Sequence, residues 1–322
     1  MKLENLTCKN WSKLLTRPTK TVEDIEGTVT KIFNEVSLKG DAAIQKYTLF
    51  FDGVTVSETL VSQAEIDNAI SKVPDELKNA IQVAKHNIEL FHKAQKTRKV
   101  RIETTKGVLC WQEKRPIQKV GLYIPGGTAP LFSTVLMLAI PAGIAGCREI
   151  VLCSPPDKSG VINPAILYAA NLCGVTKIYK VGGIQAIAGM TFGTESIPHV
   201  FKIFGPGNQF VTVAKQLATK YGVAIDMPAG PSELLIVADD TANATFVASD
   251  LLSQAEHGTD SQVILVSISK KLIENVIVEI EKQLDDLPRK GIAEQALKNS
   301  KLIYVQNSKV ALEFINKYGP EH

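Results

Sequence analysis

The sequence lacks several patterns that would assign it to a large protein class. It has no CxxC pair, and five scattered cysteines are an odd number, which fits neither a disulfide framework nor a zinc ribbon. It has no Walker-type GxxxxGK motif, which argues against a P-loop kinase or ATPase, and no GxGxxG dinucleotide fingerprint. Neither positive nor negative charge is in large excess. A formal net charge of +3 does not indicate nucleic acid or an anionic membrane as a partner, so we expect a small ligand.

The sequence also lacks the patterns of a secretory signal and of a membrane-spanning segment. The first residues carry charges and no continuous apolar core, so they do not resemble a secretory signal, and we predict a cytoplasmic protein. Residues 121–147 contain no charge, yet prolines and glycines interrupt them and the apolar part is shorter than the roughly 20 residues of a membrane span. This stretch predicts a strand, a glycine turn and a buried helix.

The pattern that is present is that of an α/β protein. A chain of 322 residues with 45% apolar content exceeds one typical core, so we expect two domains. The first hundred residues predict helices, with Ser62 and Glu65 at the spacing of a capping box, and then a hairpin over residues 100–111. Strands and helices alternate from about residue 118, which is typical of parallel sheets. The predicted strands are 119–124, 149–153, 177–181, 200–204, 234–238, 262–267 and 302–305.

Four glycine-bearing turns follow or adjoin predicted strands. They are YIPGG at 123–127, VGGIQ at 181–185, FGPGN at 204–208 and MPAGPS at 227–232. Since parallel strands end at one edge of a sheet, we expect these turns to line a common carboxyl edge, where such folds bind ligands. Each glycine either permits a tight turn or admits a phosphate close to the backbone, and the spacing leaves both explanations open.

Two segments carry residues suited to metal or proton chemistry. On a helix Gln254 and His257 lie three apart on one face, where they could contribute to a metal site, although a lone histidine at a helix end is also commonly structural. The chain ends in adjacent Glu321 and His322, which could supply a general base and its partner because imidazole titrates near neutral pH.

Taken together, long motifs of the sequence resemble the histidinol dehydrogenase family. They are VGLYIPGG at 120–127, GPGN at 205–208, DMPAGPSE at 226–233, SDLLSQAEHG at 249–258 and YGPEH at 318–322. The resemblance extends from the amino-terminal helices to the last residue. It implies an oxidoreductase of histidine biosynthesis that oxidises L-histidinol to L-histidine through histidinaldehyde, reducing two NAD and depending on zinc.

The resemblance also assigns roles to residues. It implies that Glu321 and His322 are the catalytic acid–base pair and that Gln254 and His257 are zinc ligands, all four also contacting the substrate. Ser232 matches a further substrate contact. The NAD contacts implied by the resemblance are Tyr123, Gln185 and Asn208.

The resemblance further implies two incomplete Rossmann-like domains with mainly parallel sheets, preceded by amino-terminal helices. We predict that residues 1–115 and 233–322 form the first domain and that residues 116–232 form the second, NAD-binding domain. The family continues beyond the Gly-Pro-Glu-His motif with an Asp and a His that complete the zinc shell and with a region that makes a homodimer. We therefore expect a truncated chain that holds zinc weakly and lacks the dimerisation region, and its activity stays open.

Two other functions stay open from the sequence. One is a non-catalytic nucleotide-binding module that keeps the cleft without the chemistry. The other is a thiol-dependent aldehyde dehydrogenase using Cys147 or Cys153, which we do not favour because neither thiol has a neighbouring base that would form a thiolate.

Overall fold

The computed structural model describes residues 2–5, 11–18, 22–126, 130–228 and 232–322. By its internal contacts the chain divides into two compact units. The first unit comprises Met1–Thr21 and Gly230–His322, and the second comprises Val22–Ala229.

Strands and helices alternate through most of the chain, and their bounds are as follows. The strands are β1 (Lys2–Asn5), β2 (Arg101–Thr105), β3 (Val108–Trp111), β4 (Lys119–Tyr123), β5 (Glu149–Ser154), β6 (Lys177–Lys180), β7 (Lys202–Phe204), β8 (Ala224–Ile225), β9 (Glu233–Ala238), β10 (Gln262–Ser267) and β11 (Lys301–Tyr304). The helices are α1 (Trp11–Leu14), α2 (Val22–Lys39), α3 (Asp41–Asp52), α4 (Gln63–Lys72), α5 (Asp75–Ala94), α6 (Phe132–Ala145), α7 (Pro164–Leu172), α8 (Gly183–Phe192), α9 (Gln209–Thr219), α10 (Ala244–Ala255), α11 (Lys270–Leu284), α12 (Lys290–Asn299) and α13 (Ser308–Tyr318).

The first unit is built on a four-stranded parallel sheet in the order β1-β11-β10-β9. Residues of β10 alternate between its two faces, as the two-residue period of a strand requires. Val263 and Leu265 pack with helices α10, α11 and α12, whereas Ile264 and Val266 pack with Phe314 of α13. The sheet is therefore covered by helices on both faces.

The second unit contains a five-stranded parallel sheet in the order β6-β5-β4-β7-β8. Helices α4 to α7 share one apolar core with this sheet, and helices α2, α3, α8 and α9 share the other. From β4 the chain crosses through α6 to β5 on one side, and from β7 it crosses through α9 to β8 on the other. The switch point of this sheet, where such folds bind ligands, thus lies between the carboxyl ends of β4 and β7.

The predicted fold class is confirmed: the four- and five-stranded sheets are parallel, and helices α1 to α5 precede all of their strands except β1. The seven predicted strands lie within two residues of the observed ones, the hairpin forms, and Ser62 with Glu65 makes a complete capping box. Two strands were missed. The four residues KLEN of β1 show no apolar alternation, and β8 has only two residues, so neither carries a strand pattern of its own.

The contacts divide the chain differently from the predicted domains. Residues 22–115, expected in the first domain, belong to the second unit. The apolar face of α2 explains this: Ile25, Val29 and Phe33 are buried in one core with residues of α8 and α9. A helical pattern shows that a face is apolar but not which sheet covers it.

Within the described residues, no helix combines the length and the apolar content needed to cross a membrane.

Candidate functional site

The predicted carboxyl edge exists in the second unit. The turns after β4 and β6 both pack against Pro155, which follows β5: a Cβ added to Gly126 or Gly182 would overlap the ring of this proline. The turn after β7 packs on the end of β4 through Gly205. Three of the four predicted turns therefore meet at one edge, while Gly127 and residues 229–231 of the fourth turn lie outside the described residues.

Gln185 is the most informative residue at this edge. Its side chain is 0% exposed, and neither its amide nitrogen nor its amide oxygen has a hydrogen-bond partner. Unpaired buried amides are costly, and a site that binds a ligand is one reason to keep them. Nearby, the hydroxyl of Tyr123 accepts a hydrogen bond of 3.1 Å from the N–H of Gly183, at the start of α8. Tyr123 and Gln185, two of the predicted NAD contacts, therefore lie together at the first turn of α8.

Asn208, the third predicted NAD contact, lies in the loop at the carboxyl end of β7. Its side-chain oxygen accepts a hydrogen bond of 3.1 Å from the N–H of Val211 and so caps α9. Its side chain is exposed. Capping gives this residue a structural role, and its exposure leaves the amide nitrogen open to a ligand.

A buried ion pair fixes the same loop. Lys215 is 2% exposed, pairs with Asp226, and donates a hydrogen bond of 2.7 Å to the carbonyl of Gly205. The carboxylate of Asp226 accepts one of 2.7 Å from the N–H of Gly205. Both main-chain polar groups of Gly205 are thus paired within the unit, which holds the loop against the end of β4.

Asp52, which the sequence did not single out, also acts on this edge. Burial raises the pKa of Asp52 to about 6, and its Oδ2 atom has no hydrogen-bond partner. Burial, and to a smaller degree the charge of Asp52, raises the pKa of Tyr123 to about 12. A single Asp at the end of a helix gives no sequence signal for such an environment.

The elements that carry the predicted zinc and substrate residues lie in the first unit, at the amino edge of its sheet. Helix α10 follows β9 and precedes the parallel β10, so its last turn, with Gln254, returns to the edge where both strands begin. Ser232 directly precedes β9, and its carbonyl accepts a hydrogen bond of 3.2 Å from Gln262. The chain end reaches the same edge because Leu235 donates to the carbonyl of His322 at 2.9 Å.

His257 is prepared as a ligand by its local hydrogen bonding. Its Nδ1 lies 2.9 Å from the carbonyl oxygen of Ser253, which fixes the tautomer with the proton on Nδ1. Nε2 then carries a lone pair, and the side chain is exposed. Gln254 is partly exposed on the same helix end. In the part of the chain that the structure describes, no group of three or more His, Cys, Asp or Glu side chains converges, so these two residues do not form a complete zinc shell.

Glu321 and His322 lie side by side at this edge. Nε2 of His322 is 4.0 Å from Oε1 of Glu321, and the side chains are 62% and 44% exposed, respectively. The Oε2 atom of Glu321 accepts a hydrogen bond of 3.2 Å from the N–H of Glu233. An imidazole beside a carboxylate, both open to solvent, is an arrangement suited to a general base and its partner.

Sequence reasoning missed two charged residues beside this pair. Glu233 is 3% exposed at the start of β9, and its carboxylate is paired with Arg17. One signal was available: a carboxylate opening the otherwise apolar strand ELLIVA needs a partner where its own position is buried. The partner lies 216 residues away, so the sequence alone does not identify it.

Cys153 is not placed as a nucleophile. It is 0% exposed inside the apolar core of the second unit, and burial raises the pKa of its thiol. A thiol of this kind is inert because the thiolate is the reactive form. This environment disfavours the thiol-dependent mechanism.

Comparison with known proteins gives consistent results. Residues 15–322 match the family model described as histidinol dehydrogenase. The histidinol dehydrogenase of Bacteroides thetaiotaomicron is 58% identical over 314 residues, covering 98% of this chain and 73% of that protein. The enzyme of the same name from Escherichia coli is 53% identical over 319 residues, with coverage of 98% and 73%. A crystal structure of histidinol dehydrogenase from Elizabethkingia anophelis superposes with a TM-score of 0.93 at 55% identity, covering 100% of this chain and 75% of that one.

Proposed function

The chain belongs to the histidinol dehydrogenase family and is an oxidoreductase of histidine biosynthesis, and from that premise we propose how its residues act. The proposed reaction is the oxidation of L-histidinol to L-histidine through histidinaldehyde, with two NAD and with zinc. The observation that supports the proposal is that Ser232, the last turn of α10 with Gln254, and the chain end with Glu321 and His322 all lie at the amino edge of one sheet.

His322 acts as the base in this scheme. Its imidazole takes the proton of the substrate hydroxyl while the hydrogen on the same carbon leaves as hydride. Glu321 takes a proton from the water that adds to the aldehyde, and His322 then accepts the hydroxyl proton of the hydrate in the second oxidation. Both side chains are exposed enough to exchange these protons with solvent.

Zinc fits the residues present only in part. His257 offers Nε2 and Gln254 offers an amide oxygen, and the hydrogen bond to Ser253 orients the imidazole. Zinc bound there would serve as a template for the imidazole and amine of histidinol. Because zinc prefers four ligands, we expect two of them to give weak binding unless other groups complete the shell.

NAD fits the carboxyl edge of the second unit. It would accept hydride, and Tyr123, Gln185 and Asn208 are the residues that would hold it. The unpartnered amide of Gln185 supports this assignment because a polar ligand would supply the missing hydrogen bonds. A cytoplasmic homodimer is part of the same proposal.

The test is turnover by the full chain. Purified protein is incubated with L-histidinol, NAD and excess zinc, and NADH and histidine are both quantified; two NADH per histidine are expected. Zinc affinity is measured separately by calorimetry on the His257→Ala variant, which should bind zinc at least about tenfold more weakly.

The matched control for zinc is His92→Ala, since His92 is another histidine near a helix end whose Nδ1 has a partner, Gln95. Folded, zinc-loaded protein that binds NAD but produces no NADH would favour the non-catalytic module. Equal zinc affinity of the His257 variant and the wild type would contradict the ligand assignment.

A further inference from the structure

We propose that Arg17 and Glu233 are positioning residues that hold the Glu321–His322 segment in place for proton transfer. The inference rests on the proposed function for the roles of Glu321 and His322. The family resemblance assigns no role to Arg17 or Glu233. All of the contacts lie within the first unit.

Arg17 binds the end of the helix that precedes the acid–base pair. Its Nη2 donates hydrogen bonds of 2.8 Å to the carbonyl of Tyr318 and 3.2 Å to the carbonyl of Gly319. The guanidinium also lies 4.4 Å from the centre of the Tyr318 ring. Carbonyls at a helix end have no partner inside the helix, and a cation there is favoured by the helix dipole. Arg17 thereby fixes where α13 stops, with two residues between its end and Glu321.

Glu233 connects this arginine to the acid–base pair. Its carboxylate is paired with both the Nε and Nη2 atoms of Arg17, the second at 3.0 Å, which is the bidentate geometry that fixes orientation. Its own N–H donates to Oε2 of Glu321, and Leu235, two residues along the same strand, donates to the carbonyl of His322. One end of β9 therefore contacts Arg17, Glu321 and His322 at once.

The helix that ends here is anchored from a second side. The hydroxyl of Tyr318 donates a hydrogen bond of 2.7 Å to Gln262, whose amide nitrogen donates one of 2.8 Å to the carbonyl of Asn299. Tyr318 is therefore fixed by its ring, its hydroxyl and its carbonyl. Only two residues separate Tyr318 from Glu321, and Arg17 holds the carbonyls of Tyr318 and Gly319.

Glu321 and His322 need positioning contacts because their side chains are exposed. The side chains of Glu321 and His322 are largely exposed, so core packing does not hold them. The pair is only partly buried, with 35% of the Arg17 side chain exposed, and such ion pairs contribute little net stability. The Arg17–Glu233 pair contacts the backbone of the segment that carries Glu321 and His322. Positioning explains the pair better than stability does, because small displacements of a catalytic group greatly reduce rates.

The experiment compares wild type with Arg17→Ala, and with Lys13→Ala as a matched control at an exposed cation of the same short helical region. For Arg17→Ala we expect kcat for histidinol oxidation to fall about 10- to 100-fold, with KM changed less than about threefold. Added guanidinium ion, below denaturing concentration, should restore part of kcat in this variant only. Lys13→Ala should match wild type.

Hydrogen exchange provides a readout that does not depend on turnover. The Leu235 amide should exchange at least about tenfold faster in Arg17→Ala, while the amide of Ile264 in the central strand stays protected. If Arg17→Ala does not fold, Glu233→Gln serves instead, because it keeps the side-chain volume and removes the charge.

The outcomes separate the two proposals. Unchanged kcat per folded molecule, even with a lower melting temperature, or unchanged protection of Leu235 would overturn the positioning role. Lower kcat with faster exchange at Leu235 and rescue by guanidinium would support it. If the wild type itself does not oxidise histidinol, the proposed function fails, and the exchange of Leu235 alone decides whether Arg17 holds the segment.

Discussion

Gly205 lies directly against the carbonyl oxygen of Tyr123, so closely that a Cβ on this glycine would overlap that oxygen. Its φ of +136° is also a conformation that other residues rarely adopt. Glycine is therefore required here both by the backbone angle and by the neighbouring strand. The contact joins the carboxyl ends of β4 and β7, the switch point of the sheet.

The first prediction concerns this contact. Gly205→Ala should lower the free energy of unfolding by about 3 kcal/mol, because the strained angle and the overlap add, and should weaken NAD binding. Gly222→Ala is the control, since Gly222 has a φ of +84° but open space around it; a loss of about 1 kcal/mol is expected. Denaturant unfolding measures both, and equal losses in the two variants would contradict the role of the Tyr123 contact.

Gln185→Met should have opposite effects on stability and binding. The change removes two buried polar atoms that have no partner, so the free energy of unfolding should rise by about 1 kcal/mol. The Kd for NAD should rise about tenfold because the ligand loses its hydrogen bonds. Denaturant unfolding measures the free energy of unfolding, and calorimetry measures the Kd for NAD.

Gln262→Met is the matched control for this second prediction. The amide of Gln262 is buried and paired with Tyr318 and Asn299, so its loss should destabilise the protein by about 1–3 kcal/mol. A Gln185→Met protein that binds NAD as the wild type does would remove Gln185 from the NAD site.

His322→Asn should abolish turnover without affecting zinc. We expect kcat to fall by about 10²- to 10⁴-fold because asparagine cannot accept the proton, while zinc affinity stays constant because Gln254 and His257 are intact. His86→Asn, at an exposed histidine of α5, is the control and should behave like wild type. A His322 variant with normal kcat would show that another group is the base.

Asp52 gives a prediction of pH dependence. Its folded-state pKa of about 6 lies above the ordinary value of 3.8, so the folded protein favours the protonated carboxyl. Its contribution to stability is therefore fully present below about pH 4 and is lost as the pH rises through 6. Asp52→Asn should thus gain stability relative to wild type progressively across this range.

Denaturant unfolding at pH 5 and at pH 7.5 checks this prediction, with Asp286→Asn, an exposed carboxylate, as the control. The control should differ from wild type in its free energy of unfolding by the same amount at both pH values. If the Asp52 variant also shows no change with pH, the carboxyl is solvated in the folded protein.

How far the sequence predicts this protein depends on the range of the interaction involved. Strand and helix positions and the glycine turns follow from local patterns, because backbone preferences and the two faces of an element are encoded within a few residues. The motifs also sufficed for the family resemblance, whose implied roles for Gln254, His257, Glu321 and His322 stay predictions.

Tertiary structure alone decided the rest. It placed residues 22–115 with the second sheet, buried Asp52, and brought Arg17 to Glu233 across 216 positions. Such facts depend on which surfaces cover one another, and the free energy of a buried charge depends on partners that are distant in the sequence. A single sequence states which residues can ionise or pack, whereas only the folded chain determines what each of them meets.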